Sequence, residues 1–175
     1  MDRAVPCYFQ IQIDMSSNSQ EFIQSMTHGL KFRLFLLTKL PSAFFSGLRI
    51  REMDEQKCSV TVPYKWFTKN PFRSSYFACL AMAAEMSTGA LALAHVYKRE
   101  PRISMLVTGM KAAYHKKAVG ITCFTCEQGK EFEALIQQAA DTGQPQQITA
   151  IATGRNENDE LVAEFSIEWG FKAKK

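Results

Sequence analysis

Tyr76–Val96 reads YFACLAMAAEMSTGALALAHV, and the fold turns on how this stretch is read. Seven positions are alanine, and Glu85 is the only Asp, Glu, Lys or Arg among them. A helix of this composition is apolar on every side, so it belongs inside protein or inside lipid. Its length approaches a membrane span, but a central Glu85, the polar run Ser87-Thr88-Gly89 and the lack of a second apolar stretch argue against one. The better account is a helix enclosed by a sheet, with the alanines letting the sheet approach closely.

The flanking sequence supplies that sheet. Upstream, Leu48 and Ile50 alternate with Arg49 and Arg51; a polar turn at Asp54–Lys57 precedes Cys58, Val60, Val62 and Tyr64. Alternation by two around a short polar turn predicts a hairpin. Downstream of Pro101, Ile103, Met105 and Val107 alternate with polar or outward positions, and Val119, Ile121 and Cys123 begin another strand. Phe132, Leu135, Ile136 and Ala139 then share a helical face that Gly143 terminates. Ile148–Thr153 and Leu161–Trp169, joined by the polar turn Arg155–Asp159, predict a second hairpin. Nearer the start, Ser17 or Asn18 can cap a helix carrying Phe22, Ile23, Met26 and Leu30; Gly29 can split it, and Pro41 stops it. Six strands and a single all-apolar helix predict an α+β fold, an antiparallel sheet curled around that helix, since parallel strands would need more crossover helices. The expected organisation over 1–175 is one domain, with an N-terminal helical segment at 17–40, a core at 44–171, and an extra helix between strands four and five.

Composition bounds the function. The chain has 175 residues, 46% hydrophobic and 22% charged, enough for one sizeable core and too apolar for disorder. A net charge of +4, scattered apart from short clusters such as Lys98-Arg99, excludes a nucleic-acid footprint. Five cysteines, an odd number with no export signal ahead of them, suit reduced thiols in a cytoplasm. Cys123 and Cys126 have the spacing of a metal knuckle, but on a strand that offset points the sulfurs to opposite faces, and His28, His95 and His115 lie far apart. Neither a metal nor a cofactor is expected.

The order of elements, together with Asn70–Gly89, NPFRSSYFACLAMAAEMSTG, resembles the hotdog superfamily of acyl-coenzyme A thioesterases. It is most similar to the branch with an N-terminal helix and a Leu-Pro-x-x-x-x-x-Gly approach to the sheet, here Leu40-Pro41 and Gly47. The likeness runs from about Leu30 to Trp169. Phenylacetyl-type thioesterases of this superfamily carry an Asn, then His-Gly-Gly at the helix start, then an acidic residue nine positions after the His. In this chain Asn70 takes the first place, Tyr76-Phe77-Ala78 replaces His-Gly-Gly, and Glu85 lies nine positions after Tyr76.

The resemblance implies hydrolysis of an acyl thioester. Glu85 would be the general base or nucleophile, Asn70 would orient water, and the backbone N–H groups of Phe77 and Ala78 would form the oxyanion site. It places Tyr76, Arg73, Ser104, Lys116 and Lys117 around the substrate, the basic ones toward coenzyme A phosphates. It also implies a homodimer or a dimer of dimers with sites between subunits. Physical chemistry agrees in part, because a carboxylate on an apolar helix must be paired, protonated or facing a cleft, and desolvation would raise its pKa. Plainer readings stand beside these: Glu85 bonded to Ser87, Thr88 or a neighbouring chain, Asn70 as a turn residue before Pro71, Ser74 and Ser75 as helix caps, and the lysines as solvated charge. The lost glycines leave open a module that binds acyl ligands without turning them over.

Overall fold

The computed structural model describes residues 7–174, with side chains from residue 17 onward. Three helices lead in: α1 (Cys7–Thr27), α2 (Gly29–Lys39) and α3 (Pro41–Ser46). They are followed by β1 (Arg49–Met53), β2 (Cys58–Pro63), α4 (Phe77–Val96), β3 (Ile103–Tyr114), β4 (Ile121–Cys126), α5 (Gly129–Thr142), β5 (Gln146–Arg155) and β6 (Leu161–Ala173). The strands form one antiparallel sheet in the order β1-β2-β4-β5-β6-β3. This sheet curves around α4, which is the arrangement of a hotdog fold.

Strand alternation decides what faces α4. Cys58, Val60 and Val62 on β2, Phe124 and Cys126 on β4, Ala150 and Ala152 on β5, and Phe165, Ile167 and Trp169 on β6 all point inward and are buried. The helix answers with Leu80, Ala83, Ala84, Leu91 and Ala92. At Gly89 an added Cβ would lie 3.0 Å from the Trp169 ring, so glycine lets the helix and β6 approach without the indole having to shift. By length and composition α4 could cross a membrane, but most of it is buried inside the protein, where it is the core helix. α5 closes the far end of the core through Phe132, Ile136 and Ala139, and Gly143 ends it with a left-handed φ of 66°.

The N-terminal helices depart from expectation. Ser17 and Asn18 lie inside α1 rather than at its start: Ser19 Oγ donates to the carbonyl of Ala94 at 2.9 Å and Asn18 to that of Lys98 at 3.4 Å, so this polar run ties α1 to the end of α4. The chain breaks at His28, whose side chain caps α2, one residue before the Gly29 expected to split it. Pro41 stops α2 as predicted, yet it also opens α3 as its first residue, a position where the missing N–H costs nothing. Arg99 is not surface charge. It is buried under α5, with Nη2 donating to Gln137 Oε1.

Candidate active site

Two features of α4 draw together the chemistry-bearing residues, and they lie at different heights. The first is Glu85, midway along the helix. Ser87 Oγ donates to the Ala84 carbonyl at 2.8 Å and Thr88 Oγ1 to the Glu85 carbonyl at 3.0 Å, so both hydroxyls are spent on the backbone and neither bonds the carboxylate. Trp169 Nε1 in turn donates to Thr88 Oγ1 at 3.0 Å, fixing the turn beneath Glu85. No hydrogen bond or ion pair engages the Glu85 carboxylate among the described residues. Its side chain is exposed by surface area, yet the protein packed about it still desolvates the carboxyl and pushes it above its ordinary 4.5.

The second feature is the helix start. The carbonyl of Tyr76 accepts from the Cys79 N–H at 2.9 Å, whereas Phe77 and Ala78 keep free N–H groups among the described residues, as the first turn of a helix must. Tyr76 offers no side-chain cap; its ring meets that of Phe77 edge-on at 4.9 Å. Beside this turn lies a cavity of about 330 Å³ lined in part by Ser75, Phe77, Leu80, Tyr114, Lys116 and Lys117. Ser75 Oγ is buried there and has no hydrogen-bond partner among the described residues. Ser75, expected as a helix cap, and Leu80 line this cavity, and the pairing of β3 with β6 brings Tyr114 beside the helix start.

The remaining predicted residues divide. Lys116 and Lys117 line the cavity; Lys116 also pairs with Glu160, and Lys117 reaches the Phe72 carbonyl at 3.5 Å. Asn70 is occupied by its own loop: Oδ1 accepts from the N–H of Phe72 at 2.9 Å and of Ser74 at 3.2 Å, and Nδ2 donates to Ser74 Oγ and the Ser75 carbonyl. Arg73 lies on that loop with a left-handed φ of 58° and does not line the cavity. Ser104 is elsewhere. It sits at the opposite end of β3 from Tyr114, ten residues and about 33 Å of strand away, donating to the Lys172 carbonyl at 2.9 Å. Glu85 itself is eight residues from Phe77, an axial rise of about 12 Å, so one chain does not set its carboxylate and its free N–H groups on the same carbonyl.

Known structures share this architecture. A Pseudomonas aeruginosa protein of unknown function superposes with a TM-score of 0.71 at 20% identity, covering 86% of this chain and 99% of its own. The E. coli PaaI protein from the phenylacetic acid degradation operon gives 0.61 at 14%, covering 92% and 96%. A Haemophilus influenzae thioesterase gives 0.58 at 15%, covering 80% and 88%. At such identities the likeness is one of fold. No curated protein matches the sequence. A family model described as a domain of unknown function, DUF4442, matches residues 31–170. That match spans most of the chain, from α2 through β6, and the protein, itself a hotdog fold, therefore belongs to the DUF4442 family.

Proposed function

We propose that the protein hydrolyses acyl thioesters, with acyl-coenzyme A the substrate class, and that Glu85 is its base. The observation carrying this reading is the unpartnered Glu85 carboxylate, desolvated on an apolar helix yet open on one side. A carboxylate so placed gains basicity near neutral pH. It takes a proton from water, whose oxygen bonds to the thioester carbonyl carbon; the C–S bond then breaks and the thiolate leaves with that proton. The free N–H groups of Phe77 and Ala78 hold the oxyanion. Lys116 and Lys117 meet phosphates of the carrier, and Asn70 acts by holding the loop that leads into α4. Tyr76 borders the acyl group.

Because about 12 Å of helix separates Glu85 from Phe77, the reading needs a second copy of the chain. β3 invites one: it is a 12-residue edge strand with exposed Leu106, Val107, Met110 and Tyr114. Long apolar edges of this kind pair with another chain. A homodimer joined along β3 brings each Glu85 toward its partner's helix start. The four described cysteines are free, which suits the cytoplasm. A second reading, ligand binding without turnover, is favoured by Phe77, a 55% exposed aromatic side chain at the place where the resemblance to phenylacetyl-type thioesterases puts glycine.

Purified protein assayed against acyl-coenzyme A of varied chain length, beside Glu85→Gln and Glu85→Ala, separates the two. The expected loss is about 10²- to 10⁴-fold in kcat with the fold intact. Full turnover in both variants would sink the role of Glu85, and saturable binding with no turnover in any form selects the binding module.

A further inference from the structure

The N-terminal helices leave an apolar surface that the core does not use. On α2, Phe32 and Leu36 are buried, while Leu30, Leu34 and Leu37 recur at spacings of four and three on the opposite stripe, all exposed. Lys31 and Arg33 stand to either side of that stripe. The surface continues through α3, where exposed Phe45 meets the Phe67 ring at 6.0 Å, into the loop between β2 and α4. That loop holds Trp66 at 78% and Phe72 at 74% exposure, higher than any other large hydrophobic side chain among the described residues.

Charge tells what such a surface fits. Residues 28–47 and 63–77, which build it, contain Lys31, Arg33, Lys39, Lys65, Lys69 and Arg73 and no acidic residue, in a chain with 17 acidic residues overall. Aromatic and leucine side chains standing proud among lysines and arginines match the boundary of an anionic bilayer, where rings enter the headgroup region and cations meet phosphates. A second copy fits poorly, since a two-fold contact would set one cationic face on another, and lysine is depleted from protein interfaces.

We propose that the face formed by α2, α3 and the 64–76 loop docks the protein onto the surface of an anionic lipid bilayer, with Trp66 and Phe72 as the inserted side chains. The protein lies on the membrane and does not span it. Docking goes beyond the hydrolytic reading and stands without it, although the cavity at the start of α4 is lined in part by Ser74 and Ser75, which belong to this same loop.

Co-sedimentation of the full chain with vesicles of phosphatidylcholine, with and without phosphatidylglycerol, tests it. Binding is expected to the mixed vesicles, to weaken with salt, and to be nearly absent on phosphatidylcholine alone. The paired change Trp66→Ser with Phe72→Ser should abolish it. Lys65→Gln, Lys69→Gln and Arg73→Gln should each weaken it roughly fivefold. All five side chains are on the surface, and circular dichroism confirms that each variant is folded. Three results overturn the proposal: no binding of the native chain to mixed vesicles, binding unchanged in the variants, or light scattering that shows the Trp66 and Phe72 changes splitting an oligomer, which gives the face to a second copy.

Discussion

The two halves of α4 have the same apolar, alanine-rich composition and opposite fates. From Met86 to Ala92 every residue is buried, and His95 is held at the end by the Glu55 carbonyl, 3.0 Å from Nε2. That carbonyl can only accept, so Nε2 carries the proton. α5 lies across this half and Arg99 is sealed beneath it. From Phe77 to Glu85 the cover thins: Phe77 and Glu85 are exposed, Ala81 and Met82 half-buried, and the first-turn N–H groups open onto a cavity. Hydrophobicity alone therefore does not say which part of a core helix is structural. What closes over it does, and the chemistry collects where closure stops.

The sharpest way to break this comparison is to shorten one apolar side chain in each half. Leu91→Ala empties a fully buried site and is expected to cost about 2–5 kcal/mol of unfolding free energy. Phe77→Ala removes more carbon from a site that is half open, and should cost less than about 1 kcal/mol. Urea unfolding of both variants reads the difference. Equal losses would mean that the open half is covered in solution, and a β3-paired dimer would be the first place to look.

How much of this was legible follows the same division. The enclosed helix was readable because 21 residues with one charge leave few alternatives, and the hairpins because period-two alternation survives wherever one face is buried. β3 blurred that signal. It lies at the edge with a bulge between Val107 and Gly109, so Leu106 and Val107 are both exposed and the expected inward alternation stops. The resemblance to a thioesterase motif marks Asn70, Phe77, Ala78 and Glu85, because that motif runs along one segment. Ser75 and Tyr114 carry no such mark, since their meeting depends on β3–β6 register, and the distance of Ser104 from the helix start does not appear in a motif because it is a length along a strand. Ser17 and Asn18 resemble a helix start since polar residues favour caps; the bonds this run makes, from Ser19 to the Ala94 carbonyl of α4 and from Asn18 to the Lys98 carbonyl just beyond it, are tertiary and leave no local trace.

A smaller effect sits at the boundary between the halves. Thr88 is buried, accepts from Trp169 and donates to the Glu85 carbonyl. Thr88→Val keeps the volume and strands the indole N–H, so it should cost about 1–3 kcal/mol, a fall in Tm of roughly 2–10 °C. Thermal unfolding measures this, and a variant as stable as the native chain would show that Trp169 finds another acceptor and that this turn is not fixed from the sheet side.

The smallest expected effect probes the closed half by pH. Burial is the main influence on His95 and lowers its pKa below the ordinary 6.5; the bond to the Glu55 carbonyl and the carboxylates of Glu133 and Glu55 act the other way, and Arg99 adds to the lowering. A histidine with a depressed folded value is neutral in the native state and takes up a proton more readily when unfolded. Its contribution is therefore complete above pH 6.5 and is lost as pH falls from there through the lower folded value. In His95→Gln the side-chain amide still donates to Glu55 but does not titrate. The variant should match the native Tm within about 2 °C at neutral pH and lose less of it on acidification through this window. Parallel slopes for the two proteins would mean that water already reaches His95, and that the end of α4 opposite the cavity is less closed than its packing implies.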